Sequence, residues 1–131
     1  MTGKTILIIE DNQLNLELAT DLLEANGFVV AAAQTAEEGL RRARELLPDL
    51  VLMDFSLPGM DGLTATKNLK TDSATRHLAV VGLTANAMKG DEELALAAGC
   101  DGYLTKPIDT RTFIAAVNKF ITAGKLRQAE N

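Results

Sequence analysis

The sequence predicts an α/β fold built on a parallel β-sheet, and three observations carry that reading. Short runs rich in Val, Ile and Leu alternate with longer segments whose apolar residues recur at helical spacing, the pattern of successive βαβ units. Residues 6–9 and 51–53 are apolar without alternation, as strands covered on both faces are. Finally, four runs end on polar residues: Ile6-Leu7-Ile8-Ile9 on Glu10 and Asp11, Val51-Leu52-Met53 on Asp54, Val80-Val81-Gly82-Leu83 on Thr84, and Gly102-Tyr103-Leu104-Thr105 on Lys106. Parallel strands share a direction, so these ends fall along one edge of the sheet, outside which open α/β sheets bind their ligands.

Taken in order, residues 6–9 form a first, central strand. Asn12 then stands as N-cap of a helix whose Leu14, Leu18 and Leu22 repeat at four-residue spacing on one face, and Gly27 supplies the stop. Residues 28–33 are apolar but alanine-rich, a weaker strand suited to the sheet edge. Ala36, Gly39, Leu40, Ala43 and Leu47 make the stripe of a second helix. Glu37, Glu38, Arg41, Arg42 and Arg44 are its solvated face, and Pro48 ends it. Residues 51–53 are the second central strand, and after the turn Pro58-Gly59-Met60 residues 61–70 make a short helix. Residues 80–83 and 102–105 are further strands. Between them residues 85–98 form the weakest helix, because Gly90 interrupts it and its stripe of Leu94, Ala97 and Ala98 is thin. A marginal helix beside the crevice is one that can move. Asp109 or Thr110 caps a last helix whose Phe113, Val117, Phe120 and Ile121 face the core. Residues 1–123 thus read as one domain and 124–131 as a short tail with little to bury, expected to fray.

Composition narrows the function classes. A chain of 131 residues, 47% hydrophobic, suits one core and leaves no room for a second domain. Thirteen basic against eighteen acidic residues give a net charge of −5 with no Lys/Arg cluster, which argues against direct nucleic-acid binding. The absence of tryptophan and an aromatic content of 4% leave few stacking platforms. Cys100 is the single cysteine and reads as ordinary packing in a reducing compartment. No run approaches the ~20 apolar residues of a bilayer span, and the N-terminus carries no signal-peptide pattern, so the expected location is cytoplasmic with no membrane insertion.

The strand ends bring together three carboxylates, a hydroxyl and an ammonium. An aspartate carboxylate can attack phosphorus and hold the phosphoryl group as a mixed anhydride, which makes Asp54 the candidate nucleophile. Three neighbouring carboxylates raise one another's pKa values and need a cation to stay ionised. Oxygen-only donors point to Mg²⁺, with Asp11 and Asp54 as direct ligands and Glu10 acting through a metal-bound water. Lys106 offers positive charge to a transferring phosphoryl group, and Thr84 offers a hydroxyl donor.

Glu10-Asp11-Asn12, the run ending at Asp54 with Leu57-Pro58-Gly59-Met60-Asp61-Gly62 after it, Leu83-Thr84-Ala85 and Lys106-Pro107 together resemble the receiver domain of two-component response regulators over residues ~4 to ~122. The resemblance implies a flavodoxin-like (βα)5 three-layer sandwich with a sheet of order 2-1-3-4-5. It implies a histidine kinase or histidine phosphotransferase as phosphodonor to Asp54, a domain that promotes its own phosphotransfer and dephosphorylation, and a monomer or weak phosphorylation-dependent dimer. The backbone carbonyl of Ser56 would complete the metal site, Lys106-Pro107 would be a cis peptide, and Tyr103 matches the aromatic that swings inward as Thr84 moves. The segment from Thr84 to Glu93 is similar to stand-alone receivers and to receivers of hybrid kinases. Phe55 departs from the smaller aliphatic frequent after the nucleophile, and Ser56 and Asn86 occupy positions that tune phosphoryl lifetime.

On this reading the chain is a phospho-switch whose fourth helix, fifth strand and fifth helix bind a downstream protein partner. A phosphate shuttle or sink, and a receiver module excised from a hybrid kinase, keep the chemistry but change the role. A Mg²⁺-dependent phosphohydrolase would want a second acid where Ser56 stands. A flavodoxin-like electron carrier would need a phosphate cradle where Glu10-Asp11-Asn12 repels phosphate.

Overall fold

The structure, a computed structural model, describes residues 3–55, 61–84, 89–106 and 108–130, side chains excepted at 89–92 and 125–130. Five strands alternate with five helices in the order β1 (Thr5–Ile9), α1 (Gln13–Ala25), β2 (Val29–Ala33), α2 (Ala36–Leu46), β3 (Leu50–Asp54), α3 (Gly62–Thr71), β4 (Val80–Thr84), α4 (Lys89–Ala98), β5 (Gly102–Thr105) and α5 (Phe113–Glu130). Every strand pair is parallel and the sheet order is β2-β1-β3-β4-β5, as the receiver resemblance implies. The chain leaves β1 for one side of the sheet and returns to the other, so a topological switch point opens between β1 and β3.

Side-chain alternation sorts the core into two layers. Leu7, Ile9, Val51, Met53 and Val80 face one way and pack with α2, α3 and α4 through Ala36, Leu40, Ala43, Ala65, Leu69 and Ala95. Ile6, Ile8, Leu50, Leu52 and Val81 face the other way, toward Leu16, Ala19 and Leu23 of α1 and Phe113, Val117 and Ile121 of α5. All five residues of β3 and all of β4 are buried, which accounts for their unbroken apolar character.

Caps set the helix boundaries where side-chain chemistry predicts. Asn12 accepts from the Asn15 amide at 3.1 Å, Thr35 from Glu38 at 3.1 Å and Asp61 from Thr64 at 2.7 Å. Asp109 opens the last helical segment with an Asx turn onto the Arg111 amide, and its carbonyl accepts from Phe113. At the sheet end remote from the acidic residues, Asp101 accepts from Lys70 Nζ at 3.0 Å and from the Val80 amide at 2.7 Å. Lys70 also donates to the Leu78 carbonyl at 2.6 Å, so the end of α3 is clasped to the starts of β4 and β5.

Two expected stripes are corrected. On α1 the buried residues are Leu16, Ala19 and Leu23, while Leu14 and Leu18 are 76% and 40% exposed and Leu22 is half-buried. Ala19 lets the helix lie close on the sheet, which turns the four-spaced leucines outward. On α4 Ala95 and Ala98 are buried, whereas Leu94 and Ala97 are exposed. Leu47, expected in the α2 stripe, is instead an exposed C-cap at φ 46°, a left-handed conformation. β2 begins at Val29, with Phe28 buried just before it, and occupies the sheet edge. The segment expected to fray is helical to Glu130. The turn at Pro58-Gly59-Met60 lies outside the described residues.

The α1 correction has a direct test in urea denaturation. Leu23→Ala is expected to cost about 2–5 kcal/mol, and Leu14→Ala less than about 0.5 kcal/mol. Equal costs would restore the leucine stripe as the buried face.

Candidate functional site

Strand register assembles the site. Ile9 pairs with Met53, Asp54 with Leu83 and Thr84 with Thr105, so Glu10, Asp54, Thr84 and Lys106 stand at or one step beyond the last rungs of neighbouring ladders. Backbone bonds carry the alignment into the loops: Glu10 N donates to Ala33 O at 2.9 Å, Phe55 N to Leu83 O at 3.0 Å and Lys106 N to Thr84 O at 2.7 Å. The site therefore lies at the carboxyl edge, beside the switch point between β1 and β3. A cavity of about 150 Å³ at the opposite end of the sheet, beside Leu47, Asp49 and His77, is remote from these groups.

The predicted acidic residues do converge. Glu10, Asp11 and Asp54 each offer a carboxylate oxygen within 4.8 Å of the others; Glu10 and Asp54 are only 1% exposed, and Asp11 faces solvent. Lys106 Nζ lies 2.7 Å from Glu10 Oε1 and 3.1 Å from Asp54 Oδ2, bridging the ends of β1 and β3 from beyond β5. Thr84 ends β4 with 6% exposure, and Tyr103 is half-buried on β5. Ser56, Asn86 and Pro107, and with them the expected metal-binding carbonyl and cis peptide, lie outside the described residues.

Electrostatics in this cluster are unbalanced. Burial, and next the Asp54 carboxylate, push the Glu10 carboxyl up to about 7, with Lys106 pulling the other way. For Lys106 burial acts downward, but hydrogen bonding and charge from Glu10 and Asp54 together outweigh it and hold the ammonium above the usual lysine value. One ammonium cannot neutralise three carboxylates. Lys106 Nζ meets Glu10 Oε1 as a close ion pair, and among the described residues no neutral donor reaches either buried Glu10 oxygen. Buried acceptors left in this state, with oxygen donors only and more acidic groups than one ammonium can offset, fit a hard divalent cation such as Mg²⁺.

The sequence reading passed over two glycines that shape the site. Gly62, at the start of α3, sits against the Asp54 carbonyl and the Phe55 Cα so closely that a Cβ would overlap them. Gly82 in β4 lies under the Phe55 ring in the same way. The signal available was a glycine inside an otherwise β-branched strand, which marks a close approach.

The raised Glu10 value has a pH consequence. A carboxyl whose folded pKa exceeds its ordinary 4.5 contributes stability that is fully present below that value and is lost as pH rises through about 7. In EDTA, Glu10→Gln is expected to match wild type in urea near pH 4 and to be more stable near pH 8. In wild type, Mg²⁺ affinity should rise as pH is raised through 7, with proton release in calorimetry. A pH-independent difference between the two proteins would refute the burial argument.

Comparison with known proteins places this geometry. A family model for the response regulator receiver domain matches residues 6–118. The polar-differentiation response regulator DivK of Brucella ovis is 45% identical over 118 residues, covering 90% of this chain and 96% of the relative. Among solved structures, a response regulator from Chloroflexus aurantiacus superposes with TM-score 0.88 at 29% identity, over 92% of this chain and 99% of that one. The receiver domain of a sensor histidine kinase from Pseudomonas aeruginosa PAO1 gives TM-score 0.85 at 32% identity, with the same coverages, and is described with a magnesium ion coordinated in its active site cleft.

Proposed function

The chain belongs to the response regulator receiver family, and from that membership we propose that it accepts a phosphoryl group on Asp54 and signals the event to a protein partner through the face formed by α4, β5 and α5. Receiver domains are signalling modules rather than enzymes in the ordinary sense, and they interact with histidine kinases and downstream partners. The observation that carries the proposal is the burial of Asp54 at a strand end between an ammonium and two further carboxylates.

The donor is a phosphohistidine on a kinase or phosphotransferase. An Asp54 oxygen attacks phosphorus; the P–O bond forms as the P–N bond breaks, and the electron pair of that bond returns to the imidazole. Asp11 and Asp54 would hold Mg²⁺, with Glu10 in support, and the ion would supply positive charge against the phosphoryl oxygens. Lys106, already at the carboxylates, turns its ammonium to the new dianionic group, and Thr84 donates its hydroxyl to it. Each of these contacts is stronger with the phosphoryl group in place, so phosphorylation favours the arrangement that brings β4 and β5 residues closest to Asp54, and Tyr103 follows. In the Brucella DivK relative the matched receiver region makes up 96% of the chain.

Incubation with Mg²⁺ and acetyl phosphate, followed by intact mass, is expected to add one phosphoryl group to wild type and none to Asp54→Asn. Equal labelling of the two proteins would reject Asp54 as acceptor. In Lys106→Ala, phosphorylation is expected to persist while the response of Tyr103 fluorescence to it is largely lost. A full response in that variant would remove Lys106 from the coupling, and a wild type that is phosphorylated without any response would turn the reading toward a phosphate shuttle.

A further inference from the structure

Met53, Gly82 and Tyr103 are consecutive Cα partners across β3, β4 and β5. Residues in register on neighbouring strands point to the same face, here the one covered by α2, α3 and α4, where Met53 is part of the core. The middle member of that row has no side chain. Phe55, two residues beyond Met53, faces the same layer, and its ring occupies the place a Gly82 methyl would take. Neighbouring strands lie about 4.8 Å apart, so a ring over β4 sits one strand away from the Tyr103 backbone, and Gly82 interposes nothing between them. Gly62 fixes the near end of the arrangement, because α3 packs directly on the Phe55 Cα and the Asp54 carbonyl.

We propose that Phe55 is a positioning residue for Tyr103, its ring over Gly82 occupying the space beside the tyrosine on this face and so setting how far Tyr103 turns in when Asp54 is phosphorylated. The inference rests on the receiver reading for its trigger. A smaller residue at 55 leaves a void over Gly82 whose lining has lost contact partners, and Tyr103, in register with Gly82 on β5, is placed to turn toward it. Because Phe55 directly follows Asp54, a shift of the Asp54 backbone moves the ring with it. The bulk of an aromatic at this position, unexplained by the phosphoryl chemistry, thereby acquires a task.

The chain contains one tyrosine and no tryptophan, so its fluorescence reports Tyr103 alone. Acrylamide quenching of the unphosphorylated full chain is expected to fall in Phe55→Leu and further in Phe55→Ala, with a matching loss of the change on phosphorylation. Gly82→Ala, which displaces the ring, is expected to increase quenching, and adding Phe55→Ala to it should restore a value near wild type. Unchanged quenching in Phe55→Leu with a native circular dichroism spectrum overturns the proposal, and that conservative variant decides the matter if Phe55→Ala does not fold. Phosphoryl uptake is measured by mass in the same samples. Its absence in wild type counts against the receiver reading, whereas uptake with quenching indifferent to Phe55 rejects only the positioning role.

Discussion

The structure at the carboxyl edge depends on one ion-pair arrangement: a lysine from beyond β5 reaching two carboxylates buried at the ends of β1 and β3. Those strands are adjacent in the sheet, and their buried acids would otherwise repel each other across a poorly screened gap. Lys106 offsets this only in part: burial first, and then Asp54, still hold the Glu10 carboxyl up at about 7. The fold therefore holds an excess of acidic groups in a rigid frame, which a divalent cation can offset. Removing the ammonium from such a buried group leaves the carboxylates uncompensated, whereas neutralising one of the acids relieves them.

Much of this was legible in the sequence because the fold and the site share one signal. The runs that announce the strands are uniformly apolar since both faces are covered, and each breaks off at the residue that enters the crevice. Asn12 and Asp109 were readable because capping depends on side-chain chemistry within a few residues. The convergence of Glu10, Asp54 and Lys106 followed once the strands were taken as parallel neighbours, although their sequence separations span most of the chain.

The misreadings have a common physical origin. Leucine periodicity was weighted by hydrophobicity, but the faces that α1 and α4 bury are set by how closely the helices approach the sheet. Ala19, Ala95 and Ala98 permit that approach, and Leu14, Leu18, Leu94 and Leu96 are left facing outward. Gly62 and Gly82 were missed for the complementary reason: what matters is the missing Cβ, visible only when the Phe55 ring and the Asp54 carbonyl are in place. Raised charge in a buried carboxyl and the outward turn of a leucine are properties of neighbours brought from other elements, and a local pattern does not contain them.

The clasp of Lys70 and Asp101 gives the molecule a mechanical polarity. It fastens α3 to the starts of β4 and β5, at the end of the sheet away from the acids. A strand anchored at its amino end and loaded at its carboxyl end behaves as a cantilever: deflection is least at the anchor and grows toward the tip. Thr84 and Lys106 sit at two such tips. The amide of Val80, bonded to Asp101 at the root, then belongs to the part of the protein that opens last to solvent.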